Sequence, residues 1–150
     1  MTRSFILALG ADHGGVALKT KLAAALVAAG HQVRDYGTDD TASVDYPDYA
    51  HAVCTAVEEK QADFGVLVCG SGIGMSIAAN RHAGIRCGLV HDVTTARLTR
   101  AHNDANVLAL GARIIGEEVA LDILRVFLAT DFEGGRHEHR LTKLNQDMEA

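Results

Sequence analysis

The sequence predicts an α/β fold, a Rossmann-like three-layer sandwich with a five-stranded parallel sheet and a C-terminal helical tail. Three observations carry that prediction. Short apolar runs alternate with longer segments of helical periodicity along the chain. One run, Phe64-Gly65-Val66-Leu67-Val68-Cys69, is apolar throughout, as a strand buried on both faces must be. Aromatic residues are scarce and Trp is absent, so the core is built from Ala, Val, Leu and Ile, which suits helices layered on a sheet.

The elements follow in order. Phe5 to Leu9 is the first strand, running into Gly-Ala-Asp-His-Gly-Gly. Leu18, Leu22, Ala25, Leu26 and Ala29 recur at helical spacing, and Gly30 stops that helix. Gln32 to Tyr36 is the second strand. Asp40 to Asp48 is a polar loop whose Pro47, the only proline, suits the first turn of a helix reaching about Lys60. Phe64 to Cys69 is the third strand, followed by a glycine-rich turn and a helix through Asn80. Arg86 to Val90 is the fourth strand, with a helix from Val93 to about Ala101, and Val107 to Leu110 is the fifth. Ala120, Ile123, Leu124, Phe127 and Leu128 mark the last core helix. The tail from Arg136 keeps helical spacing at Leu141, Leu144 and Met148.

The 150 residues suit one domain, with about two-thirds of the unfolded surface buried. A net charge of −5 and the absence of a long basic run exclude a general affinity for nucleic acid. No apolar run is long enough to span a membrane and no leader pattern is visible, so a cytoplasmic protein is expected. Three cysteines without a Cys-x-x-Cys spacing argue against a disulfide framework or a cysteine zinc site.

Ligands of parallel sheets sit beyond the carboxyl ends of the strands. Asp12-His13, Cys69, His91-Asp92 and Gly111 to Arg113 lie at such ends. His102-Asn103, just before the fifth strand, is grouped with them. The turn Gly70-Ser71-Gly72-Ile73-Gly74 lets backbone N–H groups converge on an anion, with the positive end of the next helix behind them. A plain strand-to-helix turn is the simpler reading. Cys69 enters that turn and is expected either to be exposed to ligand, with a lowered pKa that suits a proton acceptor, or to be a small core residue like Cys54 and Cys87. His102 with Asn103 reads either as a helix end or as a proton carrier beside an amide. Asp12 reads as a cap and His13 as a surface residue, unless a ligand holds them. Arg136 and Arg140 share one helix face, which suits a phosphate or simply solvent, and Arg113 reads either as joining them or as pairing with a carboxylate. His51, His82, His137 and His139 have no partner that spacing reveals.

Taken together these motifs resemble the type B ribose-5-phosphate isomerase family, which includes galactose-6-phosphate isomerase subunits. The matching segments are Asp12 to Gly15, Asp45 to Ala50, Cys69 to Asn80, Gly84 to Arg86, His102 to Leu108, Gly111 to Arg113 and Glu133 to His137, in the family's order. The resemblance implies an aldose–ketose isomerase with neither metal nor cofactor, in which D-ribose 5-phosphate and D-ribulose 5-phosphate interconvert through an enediolate. It implies a homodimer, or a tetramer, whose active sites are shared between subunits. It maps the base onto Cys69, because Met75 stands where some relatives carry a glutamate. It maps ring opening onto His102, and sugar contacts onto Asp12, the turn Gly70 to Gly74 including Ile73, and Asn103. Ser71 supplies a hydroxyl near the enediolate, and Tyr46 lines the pocket. Phosphate contacts map onto His13, Arg113, Arg136 and Arg140. A six-carbon substrate such as allose 6-phosphate or galactose 6-phosphate stays open. Two rivals stand beside this reading. One is a dinucleotide-binding oxidoreductase using Gly70-x-Gly72-x-Gly74 with Asp92 as ribose-binding acid. The other is a non-catalytic phospho-ligand sensor.

Overall fold

A computed structural model describes residues 3–146. Five strands are found: β1 (Ile6–Ala11), β2 (Gln32–Asp35), β3 (Phe64–Cys69), β4 (Cys87–Leu89) and β5 (Val107–Gly111). Six helices join or follow them: α1 (Val16–Ala28), α2 (Tyr46–Glu58), α3 (Ile73–Ala79), α4 (Val93–Ala101), α5 (Glu117–Ala129) and α6 (Arg136–Leu144). The α/β sandwich with a helical tail is therefore as the pattern predicts. Met148, which extends the tail's spacing, lies outside the described residues.

The strands pair in the order β2-β1-β3-β5-β4, all parallel. Alternate strand residues face opposite layers, as the period of two demands. Leu7, Leu9, Val66, Val68, Leu108 and Leu110 pack against α1, α4 and α5. Ala8, Leu67, Cys69, Val107 and Ala109 pack against α2 and α3. Each fully buried Leu, Ile or Phe of these layers contributes roughly 1.5–3 kcal/mol.

The chain leaves β1 toward one layer and leaves β3 toward the other. Their carboxyl ends lie side by side, with Ala11 beside Val68, so a crevice opens between the Asp12 loop and the Cys69 turn. Gly15, which caps α1, sits directly on β3: a Cβ there would fall 2.4 Å from the Val68 carbonyl oxygen. That close approach keeps the two loops together.

β4 is shorter than its apolar run suggests. Arg86 N–H bonds the Asn106 side chain at 2.9 Å instead of continuing the strand, and β4 forms an edge of the sheet. α2 stops at Glu58 because Lys60 takes a left-handed conformation, with φ of 64°. Lys19 is buried in α1 and its Nζ binds Asp35 at 2.6 Å. Asp35 also accepts from Gly37 N–H, which ties the loop after β2 to the strand ends.

Candidate active site

The glycine turn follows from local constraints. β3 ends at Cys69, and Gly72 takes φ of 77° at the start of α3, a conformation that L side chains avoid. A Cβ at Gly72 would also meet the Leu110 backbone at 2.8 Å. The turn folds back over Cys69, whose Sγ accepts the Gly72 N–H at 3.1 Å. Cys69 is 5% exposed. It therefore lies under the turn, not on the open surface that its position predicts. Ser71 Oγ accepts the Ile73 N–H at 3.2 Å, so the hydroxyl sits at the rim with its own O–H as a donor. The side chain of Met75 is wholly buried.

Groups from other strands surround the turn. Asp12 Oδ1 accepts the Gly14 N–H at 2.9 Å, a local turn and not the helix cap expected of it. Gly14 in turn faces Gly70: a Cβ on Gly14 would lie 3.6 Å from the Gly70 nitrogen. His13 Nδ1 accepts the Val44 N–H at 3.2 Å, which draws the loop before α2 toward the crevice. The Tyr46 ring covers Gly74, where a Cβ would come within 2.6 Å of it. The Arg113 stem lies on Gly70, 3.1 Å from where a Cβ would be, and Arg113 N–H donates to the Gly70 carbonyl at 2.9 Å. Asp12, His13, Tyr46, the turn and Arg113 thus form one cluster at the carboxyl ends of β1, β3 and β5.

His102 and Asn103 do not join it. α4 runs antiparallel to the strands, so its end returns to the amino edge of the sheet. There the Asn103 and Asp104 carbonyls accept from Arg86 Nε at 3.1 and 3.0 Å, ahead of β4. Arg100, one turn before, stacks its guanidinium over Phe64 at the start of β3 and donates to the Ala105 and Thr130 carbonyls. The strand from Gly65 to Cys69 alone puts about 13 Å between the two edges. Grouping His102-Asn103 with the strand ends is thus corrected: nearness in sequence to β5 means nearness to its amino end. Arg136 and Arg140 belong to the same side, exposed on α6, whose Leu141 and Leu144 line a groove with Asn103, Asn80 and Cys87.

Spacing did not reveal the groups around His102. Its ring stacks on His137 with centroids 4.3 Å apart and planes 14° apart. Glu133 Oε2 lies 3.9 Å from His102 Nε2 and 3.5 Å from His137 Nε2. The Glu133-x-x-x-His137 spacing was the one available signal. These three residues lie close enough together to be weighed as metal ligands. Two nearly parallel rings 4.3 Å apart, however, keep their in-plane nitrogen lone pairs in separate planes, which disfavours a common tetrahedral centre. A second chain joins His51 Nδ1 to His82 Nε2 at 2.7 Å and His82 Nδ1 to Glu58 at 2.8 Å. Asp92 Oδ1 accepts the Thr95 N–H at 2.7 Å and caps α4. Its carboxyl is held below the usual range by that bond, so it is occupied as a cap and not as a ribose ligand. Burial pushes the Cys54 thiol up to about 12, with Glu58 adding to it, and pushes Cys87 higher still.

No helix among the described residues is long and apolar enough to cross a membrane. Residues 7–144 match the family model described as Ribose/Galactose Isomerase. The chain is 46% identical over 135 residues to ribose-5-phosphate isomerase B of Escherichia coli, covering 90% of this chain and 91% of that protein. It is 40% identical to D-erythrulose-4-phosphate isomerase of Pectobacterium atrosepticum, covering 92% and 91%. The solved structure of Clostridium thermocellum ribose-5-phosphate isomerase B superposes with a TM-score of 0.95 at 44% identity, covering 96% and 97%. The chain is an enzyme of the sugar phosphate isomerases and belongs to the ribose/galactose isomerase family.

Proposed function

We propose that this enzyme interconverts D-ribose 5-phosphate and D-ribulose 5-phosphate, with Cys69 as the base, and serves pentose phosphate metabolism. The observation that carries the reading is the Cys69 sulfur held by a turn N–H beneath the crevice, with Asp12 and Arg113 at its rim. A thiolate there takes the C2 proton of the open-chain aldose, and the electron pair moves through C1 to O1 to form the enediolate. N–H groups of the turn and the Ser71 hydroxyl face the developing charge, where one such donor is worth about 10²–10³ in rate. The thiol then returns the proton to C1, and a proton shifts from O2 to O1. Only protons move, so the chemistry calls for no redox cofactor.

The ring must open first. The C1–O4 bond breaks toward O4, which takes a proton from a His102 imidazolium, while the anomeric hydroxyl gives its proton to Asp12 as the aldehyde forms. His102 sits at the other sheet edge of its own chain, so this step draws His102, Asn103, Arg136 and Arg140 from a second subunit. That arrangement is supported by the separation of the two half-sites and by exposed apolar side chains, Ile73 and Ile77 of α3, Leu89 of the edge strand and Leu144 of α6. Across such a two-fold interface, His13 and Arg113 of one chain and the α6 arginines of the other clamp the remote phosphate, whose binding energy positions the reacting carbons.

The relative acting on a four-carbon sugar phosphate argues for testing chain length directly. Four-, five- and six-carbon aldose phosphates are offered, allose and galactose 6-phosphates included, and ketose formation is followed with deuterium uptake from heavy water. D-ribose 5-phosphate should give the highest kcat/KM. Preference for a hexose phosphate would replace the substrate, and binding without deuterium uptake would return the chain to a sensor.

A further inference from the structure

We infer that Glu133 and His137 are positioning residues for His102, fixing its ring to deliver a proton to the ring oxygen of a cyclic substrate. This rests on the role proposed for His102 and adds two residues to it. His137 is the one buried histidine among the described residues, at 7% exposure. Burying an imidazole costs free energy unless it is hydrogen-bonded, and a Leu or Phe would fill the same space at less cost. Its use here is geometric. The His137 ring lies face to face with His102, 4.3 Å away and 14° from parallel, which holds the His102 plane.

Glu133 adds the charge. Its backbone N–H donates to the Ala101 carbonyl at 3.0 Å, one residue before His102, so the carboxylate is anchored beside the ring. Gly134 and Gly135 then take φ of 68° and 57°, a bend that brings His137 back against the same ring one helical turn later. The carboxylate stands 3.9 and 3.5 Å from the two Nε2 atoms. It faces the positive charge that His102 carries while it is the proton donor. The bend also starts α6, so the element carrying Arg136 and Arg140 and the element holding His102 are one piece of chain.

Opening is required of D-ribose 5-phosphate, which closes to a furanose, and not of D-ribulose 5-phosphate, whose O5 carries the phosphate. The test compares Glu133→Gln, Glu133→Asp and His137→Phe with the parent on two reactions: kcat for D-ribose 5-phosphate, and exchange of the C1 proton of D-ribulose 5-phosphate with heavy water. D-erythrose 4-phosphate, which has no free hydroxyl to close a five-membered ring, serves as a second acyclic substrate.

Glu133→Gln should lower kcat on D-ribose 5-phosphate by about 10–100-fold, the usual effect of losing an orienting partner, with KM nearly unchanged. Acyclic turnover should fall by less than about twofold, and Glu133→Asp should recover most of the loss. His137→Phe keeps a flat ring and should lose less than Glu133→Gln. Equal losses on cyclic and acyclic substrates would reduce the pair to a structural role, and no loss on either would remove them altogether. A parent enzyme inactive on all three sugars would instead sink the proposed function, which is a separate result.

Discussion

The three cysteines differ in what surrounds the sulfur. Cys54 is pushed up to about 12 by burial and by Glu58, and Cys87 higher still by burial and by Cys54, so neither offers a thiolate near neutrality. In the native protein at pH 8, a thiol reagent should leave both unmodified for as long as the fold holds. Peptide mapping checks this, and rapid labelling of either would show that the site opens. Cys69 is the sulfur that meets an N–H and a crevice. Cys69→Ala should cut kcat by about 10²–10⁴, the usual worth of a positioned acid–base group, while calorimetry still finds the sugar phosphate bound. A variant near full activity would move the base elsewhere. Gly15→Ala is the structural counterpart. Its Cβ would sit 2.4 Å from a strand carbonyl, and overpacking of that kind costs about 1–3 kcal/mol, readable as a lower denaturation midpoint in urea. Cys69 was legible in the sequence because strand, cysteine and glycines are consecutive. Glu133 and His137 were not, because their meaning lies in a contact with a residue more than thirty positions away.

Elements were legible where one period ran uninterrupted. β3 and α5 are apolar at every position their period demands, and both match their predicted cores. Direction was harder to use. Asp12, Cys69 and Arg113 lie at the carboxyl ends of the strands, where the rule for parallel sheets looks for ligands. That rule does not reach His102, because a crossover helix must bring the chain back before the next parallel strand can begin. α4 is that return, and Asp92 starts it. The Asp92 carboxyl lies below its ordinary range because Thr95 N–H bonds its charged form. Its contribution is therefore present above about pH 4 and is lost as pH falls through the lowered folded value. Asp92→Ala should lower the melting temperature at pH 7, and the gap to the parent should close toward pH 3. A gap independent of pH would mean that packing, not the cap, was lost. α6 tests the phosphate half of the site. Arg136→Ala or Arg140→Ala should raise KM by about tenfold or more while kcat changes little, since a bond to a charged group contributes about 1.5–3 kcal/mol. Unchanged KM would remove α6 from the phosphate.

At the scale of the whole molecule, one chain carries the two proposed half-sites on opposite sheet edges. A parallel sheet is stiff along its strands, so no loop motion closes a gap of about 13 Å or more across it. On the reading proposed above the halves meet between copies, with Cys69 of one facing His102 of the other. Mixing variants tests this directly. Cys69→Ala and His102→Ala should each be nearly inactive alone. After unfolding and refolding together in equal amounts, half the dimers are mixed, and each mixed dimer has one site with both defects and one with none. Activity should then return to about a quarter of the parent value. If Cys69 and His102 served within one chain, every site would keep one defect and the mixture would stay inactive. The exposed Ile73, Ile77 and Leu89 supply a control, because their exposure in the single chain is what pairing would remove. Ile77→Asp, an exposed position on α3, should give monomers by sedimentation and lose turnover with them. An active monomer would show that each chain works alone, whatever the mixed variants did.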